Sequence, residues 1–216
     1  MGICRGKHGK LRECRGGISY GPNQEGSKGG ENLLSATENW GQVLQSYKKM
    51  SVVRQIKADE WGLLRSVCLA ALSEAPYAFT ETVEGARQLP DAEWQRRARS
   101  GAEGKEAFCV LGFEEALPIG IAVGLTGTSD RKVAYLISMW VAPSHRGTDL
   151  ASSLVDPVMA WARGIGVYFL LAGITRGNVR AVAFYRKLGF EPYEGPIPNH
   201  PAISCCQVVL GKRLRT

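Results

Sequence analysis

A short segment between two apolar runs has the composition of an anion-binding turn. Residues 140–151 read Trp-Val-Ala-Pro-Ser-His-Arg-Gly-Thr-Asp-Leu-Ala, with Arg146 and Gly147 between a predicted strand end and the first turn of a predicted helix. Backbone N–H groups at a helix start have no partner within the helix, and the helix dipole adds positive potential there. The segment therefore predicts a site for a phosphate or pyrophosphate, although the same residues also suit a turn that binds nothing.

A second segment, residues 178–190, combines a well-formed helix with an adjacent pair of aromatic residues. Asn178 is a good N-cap and Gly189 a good helix terminator, so the helix itself needs no functional explanation. Phe184 and Tyr185 are neighbours and point in different directions from one helix. One of them can pack, and we expect the other at a polar or open surface.

The composition is that of an ordinary globular chain with an excess of basic residues. The 216 residues carry 27 Lys and Arg against 20 Asp and Glu, a net charge of +7. No stretch approaches the roughly 18–20 uninterrupted apolar residues of a bilayer span, so no membrane association is expected. The N-terminus lacks the apolar part of a secretory signal, which favours the cytoplasm. The six cysteines are too irregularly placed for a disulfide scaffold.

The chain changes character near residue 50. Residues 1–49 are glycine-rich and basic, with too few apolar side chains to offset the entropy of ordering. We expect a largely disordered extension in which a capping box and helical apolar spacing at 36–49 mark one amphipathic helix. Residues 50–216 are densely patterned and are expected to form one domain.

Two other classes of partner find no support in the sequence. Cys4, His8 and Cys14 match no closed four-ligand zinc site, so no metal is predicted. Residues 1–49 contain eight basic and four acidic side chains, which leaves the domain a charge of only +3. More than half of the basic excess thus lies in the extension, and we expect no nucleic-acid partner.

Hydrophobic periodicity within the domain predicts strands first and then alternating helices and strands. The predicted strands are 52–56, 107–112, 119–125, 132–141, 167–174, a short one near Phe190, and 203–210. The predicted helices are 58–72, 92–98, 149–163 and 179–188. This order is typical of an α/β fold with a mixed sheet that helices cover on both faces.

Together the two segments resemble the acetyl-CoA-binding core of the GNAT superfamily of N-acetyltransferases. The family signature Q/R-x-x-G-x-G/A, after a V-x-P strand end, is similar to residues 141–151. The signature N-x-x-A-x-x-F/Y-Y-x-K-x-G-F is similar to residues 178–190. The resemblance covers residues 51 to about 212. It implies a mostly antiparallel GNAT-like sheet and transfer of an acetyl group from acetyl-CoA to a primary amine of a small molecule or protein, by direct attack in a ternary complex.

The resemblance also implies roles for individual residues. Tyr185 would be the catalytic general acid for the leaving thiolate, because its ordinary pKa of about 10 exceeds the thiol's roughly 8.5. Strand residues 137–141 would splay from their neighbour at a bulge, and backbone groups near Met139 and Val141 would pair with the pantetheine arm. Asn178 would meet the pantetheine or thioester. The other residues implied to bind acetyl-CoA are Arg146, Gly147, Thr148, Asp149, Leu150, Ala151, Phe184 and Arg186.

Three positions depart from the family pattern. Asp149 replaces a glycine, and its charge would oppose a pyrophosphate unless it turns away or caps the helix. Pro157 would interrupt the following helix at a cost of about 3 kcal/mol unless a kink is accommodated. Both departures favour an alternative function, a degenerate, non-catalytic acyl-CoA-binding regulatory module.

The third departure leaves the general base unassigned. Tyr135 stands where relatives often carry a glutamate that acts through water. The candidates for deprotonating the acceptor are Glu114, Glu115, Tyr135, Ser138, His145 and His200. A surface charge explains the two glutamates better, and a solvated loop position explains each histidine better.

The acceptor and the oligomeric state are left open. By the same resemblance, residues of about 58–92 and 191–206 would form the acceptor pocket. An acidic, aromatic rim for a cationic amine would come from Glu74, Tyr77, Phe79, Glu81 and Glu84, which also suit structural roles. The acceptors left open are small amines, polyamines, amine-bearing antibiotics, and protein N-termini or lysines. The oligomeric states left open are a monomer and a homodimer.

Overall fold

The computed structural model describes residues 51–127, 132–195, 203, 206 and 208–214. The predicted extension of residues 1–49, its candidate helix and His200 lie outside this part of the chain. The described strands are β1 Val52–Gln55, β2 Ala107–Glu114, β3 Leu117–Thr126, β4 Val133–Val141, β5 Phe169–Ile174, β6 Glu191–Pro192 and β7 Val208–Arg213. The helices are α1 Trp61–Glu74, α2 Val83–Gln88, α3 Asp91–Glu103, α4 Leu150–Gly164 and α5 Val179–Lys187, with short 3-10 turns at Pro76–Ala78 and Pro143–His145.

The described strands form one mixed sheet in the order β1-β2-β3-β4-β5-β7-β6. Only β4 and β5 are parallel, since α4 carries the chain between them, and the other neighbours are antiparallel. Side chains alternate along β2, so Cys109 and Leu111 face α1 and α3 while Val110 faces α4. The predicted mixed, mostly antiparallel sheet between two helical layers is confirmed.

Glycines on two neighbouring strands let α4 lie close against the sheet. They are Gly112 on β2 and Gly120 and Gly124 on β3. A Cβ atom at Gly112 would lie 2.8 Å from the Leu150 side chain, and one at Gly124 would lie 2.5 Å from the Trp161 ring. Larger residues at these positions would push the helix outward, because real Cβ contacts are not so short.

Pro157 does not break α4, which runs without interruption from Leu150 to Gly164. The proline cannot donate to the carbonyl of Ser153, and Ser153 is exposed, so water can satisfy that group. The opposite face of the helix buries Leu154 and Val158 completely. The predicted interruption is therefore wrong, because the missing hydrogen bond lies on the solvent side of a well-packed helix.

The structure adds one helix to those predicted and shifts the bounds of several elements. The helix α2 forms where no helix was predicted, and the Thr82 hydroxyl accepts a hydrogen bond from the N–H of Gly85 to cap it. The last strand covers 208–213 instead of 203–210. The helix predicted at 92–98 extends to Glu103, where Gly104 takes the left-handed conformation of a C-cap. Among the described helices, none has the length and apolar character that would let it cross a bilayer.

Candidate active site

The strands β4 and β5 pair along only part of their length. Their register runs from Val133 opposite Phe169 to Leu136 opposite Ala172 and ends there. On its other edge, β4 has one extra residue, since Ile121 and Val123 of β3 face Trp140 and Ile137. This bulge places Ser138 in the left-handed region at a φ of 52°. Residues 137–141 therefore diverge from β5 and leave a slot between the two strands.

A cavity of about 480 Å³ opens at this slot. Ser138 and Met139 line it from β4, Gly173 and Ile174 from β5, and Tyr185 from α5. Its other end reaches between α1 and α3, where Cys68, Phe79 and Arg97 form part of the wall. Burial raises the pKa of the Cys68 thiol to about 12, so Cys68 is a neutral apolar wall residue.

Tyr185 is buried at the edge of the cavity. Only 6% of it is exposed, and its ring centroid lies 5.2 Å from that of Phe184 and 5.3 Å from that of Phe190. Burial raises the pKa of the phenol above its ordinary value, so Tyr185 keeps its proton at neutral pH. Of the aromatic pair, Tyr185 reaches the cavity and Phe184 packs against the core beside it. The structure does not bring Phe184 or the exposed Arg186 into the cavity lining.

Two polar side chains lie near Tyr185 where β5 ends and α5 begins. Asn178 caps α5, with its Oδ1 atom 3.1 Å from the N–H of Ala181, as predicted. The buried hydroxyl of Thr175 also lines the cavity and has no hydrogen-bond partner within the described residues. A ligand with a polar group here would satisfy it. Thr175 was not predicted, because a single threonine after a strand carries no distinguishing sequence signal.

The turn before α4 has the free donors that its sequence predicts. Gly147 takes a φ of 80°, and the Thr148 hydroxyl donates to the carbonyl of His145 at 2.7 Å. In the described part of the chain, hydrogen bonds are absent from the backbone N–H groups of Gly147, Thr148, Asp149 and Ala151. Asp149 is exposed at the N-cap position without a capping hydrogen bond. The turn can therefore hold an anion, with one carboxylate beside it.

The side chain of Arg146 binds protein groups. Its Nε atom donates to the carbonyl of Val141 at 3.0 Å and its Nη1 atom to Glu74 Oε1 at 3.1 Å, while Nη2 contacts Glu74 Oε2. The indole of Trp140 also donates to Glu74 at 3.0 Å. These bonds, above all those from Arg146, lower the pKa of the Glu74 carboxyl. The backbone N–H of Arg146 points to Pro143 O at 3.3 Å, and a role of this residue at the pyrophosphate stays a prediction.

Of the candidates for the general base, Ser138 is the one that lines the cavity within the described part of the chain. Glu114 and His145 pair with each other, with 3.2 Å between Oε1 and Nε2. Tyr135 is fully buried on β4 beneath other side chains, and Glu115 lies in the β2–β3 turn. Among the described residues, no group of three or more His, Cys, Asp or Glu side chains could hold a metal ion.

The predicted acidic rim of the acceptor pocket forms only in part. Phe79 and Glu81 line the cavity. Tyr77 is 68% exposed, and Glu74 is bound to Arg146. Glu84 is exposed and does not line the cavity, and the Glu81 carboxylate forms an ion pair with Arg97 of α3. The Glu81 oxygens lie 3.1 and 3.2 Å from two nitrogens of Arg97.

The chain matches known proteins in sequence and in fold. A sequence model described as "Acetyltransferase (GNAT) family" matches residues 69–190. The fold is similar to an acetyltransferase of the GNAT family from Streptococcus pneumoniae, with a TM-score of 0.63 and 18% identity over 77% of this chain and 100% of that one. No curated protein sequence matches the chain.

Two similar solved structures contain coenzyme A or acetyl-CoA. PaiA N-acetyltransferase from Thermoplasma acidophilum in complex with coenzyme A has a TM-score of 0.60 and 13% identity, over 76% of this chain and 99% of that one. YncA from Salmonella typhimurium with acetyl-CoA has a TM-score of 0.59 and 16% identity, over 77% and 95%. At such identities the likeness concerns the fold.

Proposed function

This chain belongs to the GNAT acetyltransferase family, and we propose that it transfers the acetyl group of acetyl-CoA to a primary amine of a small molecule or a protein. The observation that carries the proposal is the divergence of β4 from β5 at the Ser138 bulge, which opens onto Tyr185 and Asn178 in one cavity. Acceptor and acyl donor can meet there without a covalent enzyme intermediate.

The described residues fit acetyl-CoA at two places. The N–H groups of Gly147, Thr148, Asp149 and Ala151 match a pyrophosphate, because a helix start offers partnerless donors and a favourable dipole. The edge of β4 at 137–141 has lost its β5 partner, so its backbone groups can pair with an extended arm that carries amides, as a strand would. The Thr175 hydroxyl supplies one further polar contact deeper in the slot.

Acetyl-CoA supplies an activated thioester when bound, and the residues of this chain supply orientation and a proton. A phenol is protonated at neutral pH, and burial raises the pKa of Tyr185 further, so the side chain keeps its proton into the alkaline range. It lines the same cavity as Asn178, whose amide nitrogen is left over from the helix cap. A protonated phenol at this position can donate to a leaving thiolate, which is the role that the family resemblance implies for Tyr185.

The acceptor's proton needs a different group. Ser138 presents a hydroxyl at the bulge, and a neutral hydroxyl can pass a proton on but is too weak a base to keep it. We propose that Ser138 or water relays the proton to solvent. The amine then enters as its neutral form, which predicts a rate that rises with pH towards the acceptor's own pKa.

Two measurements test the proposal against a non-catalytic acyl-CoA-binding module. Calorimetric titration with acetyl-CoA measures binding, and thiol release over a panel of amines measures turnover. The proposed enzyme binds acetyl-CoA and releases thiol only when a suitable amine is present. Binding without release across small amines, polyamines, amino acids and peptides would support the module instead, which Asp149 beside the anion-binding turn favours.

A further inference from the structure

We propose that the acceptor is a small amine that also carries a carboxylate, which Arg96 and Arg97 of α3 bind at the end of the cavity remote from Tyr185. This inference rests on the proposed function and specifies its substrate class. The observation behind it is a pair of arginines with unused N–H groups at that end of the cavity. Among the described lining residues, the charged ones are Arg96, Arg97 and Glu81, and Glu93 outside the lining pairs with both arginines.

The one carboxylate in this lining is not available to a cationic amine. Both oxygens of Glu81 accept hydrogen bonds from Arg97, at 3.1 and 3.2 Å. An ammonium group would have to displace a bidentate guanidinium, which is among the strongest partners of a carboxylate. A diamine or an exposed lysine therefore meets no free counter-charge here, whereas an anionic group meets guanidinium N–H groups that have no partner within the described residues.

Each of the two arginines has N–H groups that make no hydrogen bond within the described residues. A guanidinium has five N–H groups. Arg97 uses three of them, one on Glu93 and two on Glu81. Arg96 uses two, both on Glu93 at 2.8 Å. The remaining N–H groups have no partner within the described residues, and two neighbouring guanidinium groups suit the two oxygens of a carboxylate.

The network also holds Arg97 in place before any ligand arrives. Its guanidinium lies over the ring of Trp94, with 5.2 Å between Cζ and the ring centroid, and Trp94 is fully buried. Glu93 joins both arginines by ion pairs of 2.8 and 2.9 Å. A preordered cation costs little entropy on binding, which favours recognition over adventitious contact.

The rest of the lining indicates how the acceptor lies. Leu64, Cys68 and Phe79 give the cavity between α1 and α3 an apolar middle. Ser138 and Tyr185 mark the end where the amine must reach the thioester. An acceptor with an amine at one end, a compact apolar body and a carboxylate at the other fits this order. Amino acids and related amino-carboxylic acids belong to this class, whereas polyamines and lysine side chains do not.

The experiment compares matched acceptors that differ in one charge. Thiol release from acetyl-CoA is measured with amino acids, their carboxamides and a simple diamine, over a range of apolar side chains. We expect kcat/KM for the best carboxylate-bearing acceptor to exceed that of its carboxamide by at least about tenfold, the factor of one charge-assisted hydrogen bond. In Arg96→Gln and Arg97→Gln this ratio falls towards one.

Two variants make the result interpretable even where Arg97→Gln does not fold. The Arg96 side chain is 68% exposed, so Arg96→Gln folds even if the loss of Arg97 from the Trp94 face impairs stability. Arg99→Gln on the same helix is the control, since Arg99 is exposed and does not line the cavity, and it keeps the native preference. Equal turnover of carboxamides or diamines by the native protein overturns this inference and leaves the proposed function standing. No turnover of any amine despite bound acetyl-CoA overturns the proposed function, and the inference with it.

Discussion

The carboxylate of Glu74 and the guanidinium of Arg146 form a two-pronged ion pair, although they lie 72 positions apart in the sequence. Glu74 is the last residue of α1, directly before the segment that carries Phe79 and Glu81 to the cavity. Arg146 begins the turn that offers N–H groups to an anion. The pair therefore joins the predicted acceptor side of the site to its predicted coenzyme side.

Removal of this ion pair is expected to destabilise the fold. In Arg146→Gln, the Glu74 carboxylate and the Val141 carbonyl lose their main partner while both stay partly shielded from water. We expect the free energy of unfolding at pH 7 to fall by about 1–3 kcal/mol, measured by urea denaturation. The exposed Arg99→Gln is the control and should stay within about 0.5 kcal/mol of the native value. An Arg146→Gln variant as stable as the native protein would show that the pair contributes nothing.

Tyr185→Phe separates proton donation from packing. The phenylalanine ring keeps the contacts with Phe184 and Phe190 but has no proton to give. We expect kcat to fall by about 10²–10⁴, the usual contribution of a general acid, with acetyl-CoA affinity and thermal stability nearly unchanged. Since burial raises the pKa of Tyr185, the native rate should show no loss between pH 8 and 10 from its ionisation. Tyr168→Phe, at an exposed tyrosine, is the matched control, and native turnover by Tyr185→Phe would refute the assignment.

Asp149→Asn is expected to strengthen the binding of acetyl-CoA. The substitution removes a negative charge beside the partnerless N–H groups and keeps the shape of the side chain. A charge at a helix terminus is worth about 0.3–1 kcal/mol, so the dissociation constant should fall by roughly two- to fivefold at low ionic strength. Calorimetry in high salt should erase most of this gain. The exposed Asp156→Asn, further along α4, should leave affinity unchanged, and equal affinities of native protein and Asp149→Asn would place the pyrophosphate elsewhere.

Part of the protein's stability depends on the ionised carboxylate of Glu93 and is lost at acidic pH. Its hydrogen bonds lower the pKa of its carboxyl to about 2, and the bond with Arg96 contributes more than the bond with Arg97. The Glu93 carboxyl has a lower pKa in the folded protein than in the unfolded chain, where it is about 4.3. Its ion pairs therefore stabilise the fold fully above about pH 4.3, and this stabilisation is lost as the pH falls towards 2. We expect native protein to exceed Glu93→Gln by about 1–2 kcal/mol at pH 7, after allowance for solvent screening. The gap should narrow between pH 4 and pH 3, whereas Glu103→Gln should show no such trend.

Substitutions of Ser138 test the role of the bulge beside the slot between β4 and β5. A residue other than glycine at a φ of 52° carries backbone strain of about 1 kcal/mol or more. Ser138→Gly should therefore unfold at equal or higher urea concentration than the native protein. Ser138→Val should unfold earlier and bind acetyl-CoA more weakly, because a β-branched residue resists this conformation. If the valine variant kept both native stability and native affinity, the left-handed conformation of residue 138 would not carry the strain assigned to it.

Local sequence signals predicted the parts of the site that depend on neighbours in the chain. The cap at Asn178, the turn at Gly147 and the helix through Tyr185 each follow from residues within one or two helical turns. Their motifs also predicted the family and the sheet, both confirmed. Such features are determined by backbone preferences and capping, which a sequence displays directly.

Pairings over long distances in the chain could not be predicted in this way. Glu74 and Glu81 looked like a rim for a cationic amine, yet each is paired with an arginine that only the tertiary structure brings close to it. Pro157 looked like a break, yet the exposed carbonyl of Ser153 makes it tolerable. In all these cases the missing information was the identity of the tertiary neighbour and the side of the element that faces water.

The row of glycines beneath α4 gives this site a sensitivity that its own residues do not reveal. Leu150, against which a methyl group on Gly112 would collide, is also the first residue of α4 and belongs to the anion-binding turn. An added carbon there would make the Leu150 side chain move, and one at Gly124 would meet the rigid ring of Trp161. A sequence designed for this fold must therefore specify an absence of atoms beneath α4 as strictly as it specifies any side chain in the cavity.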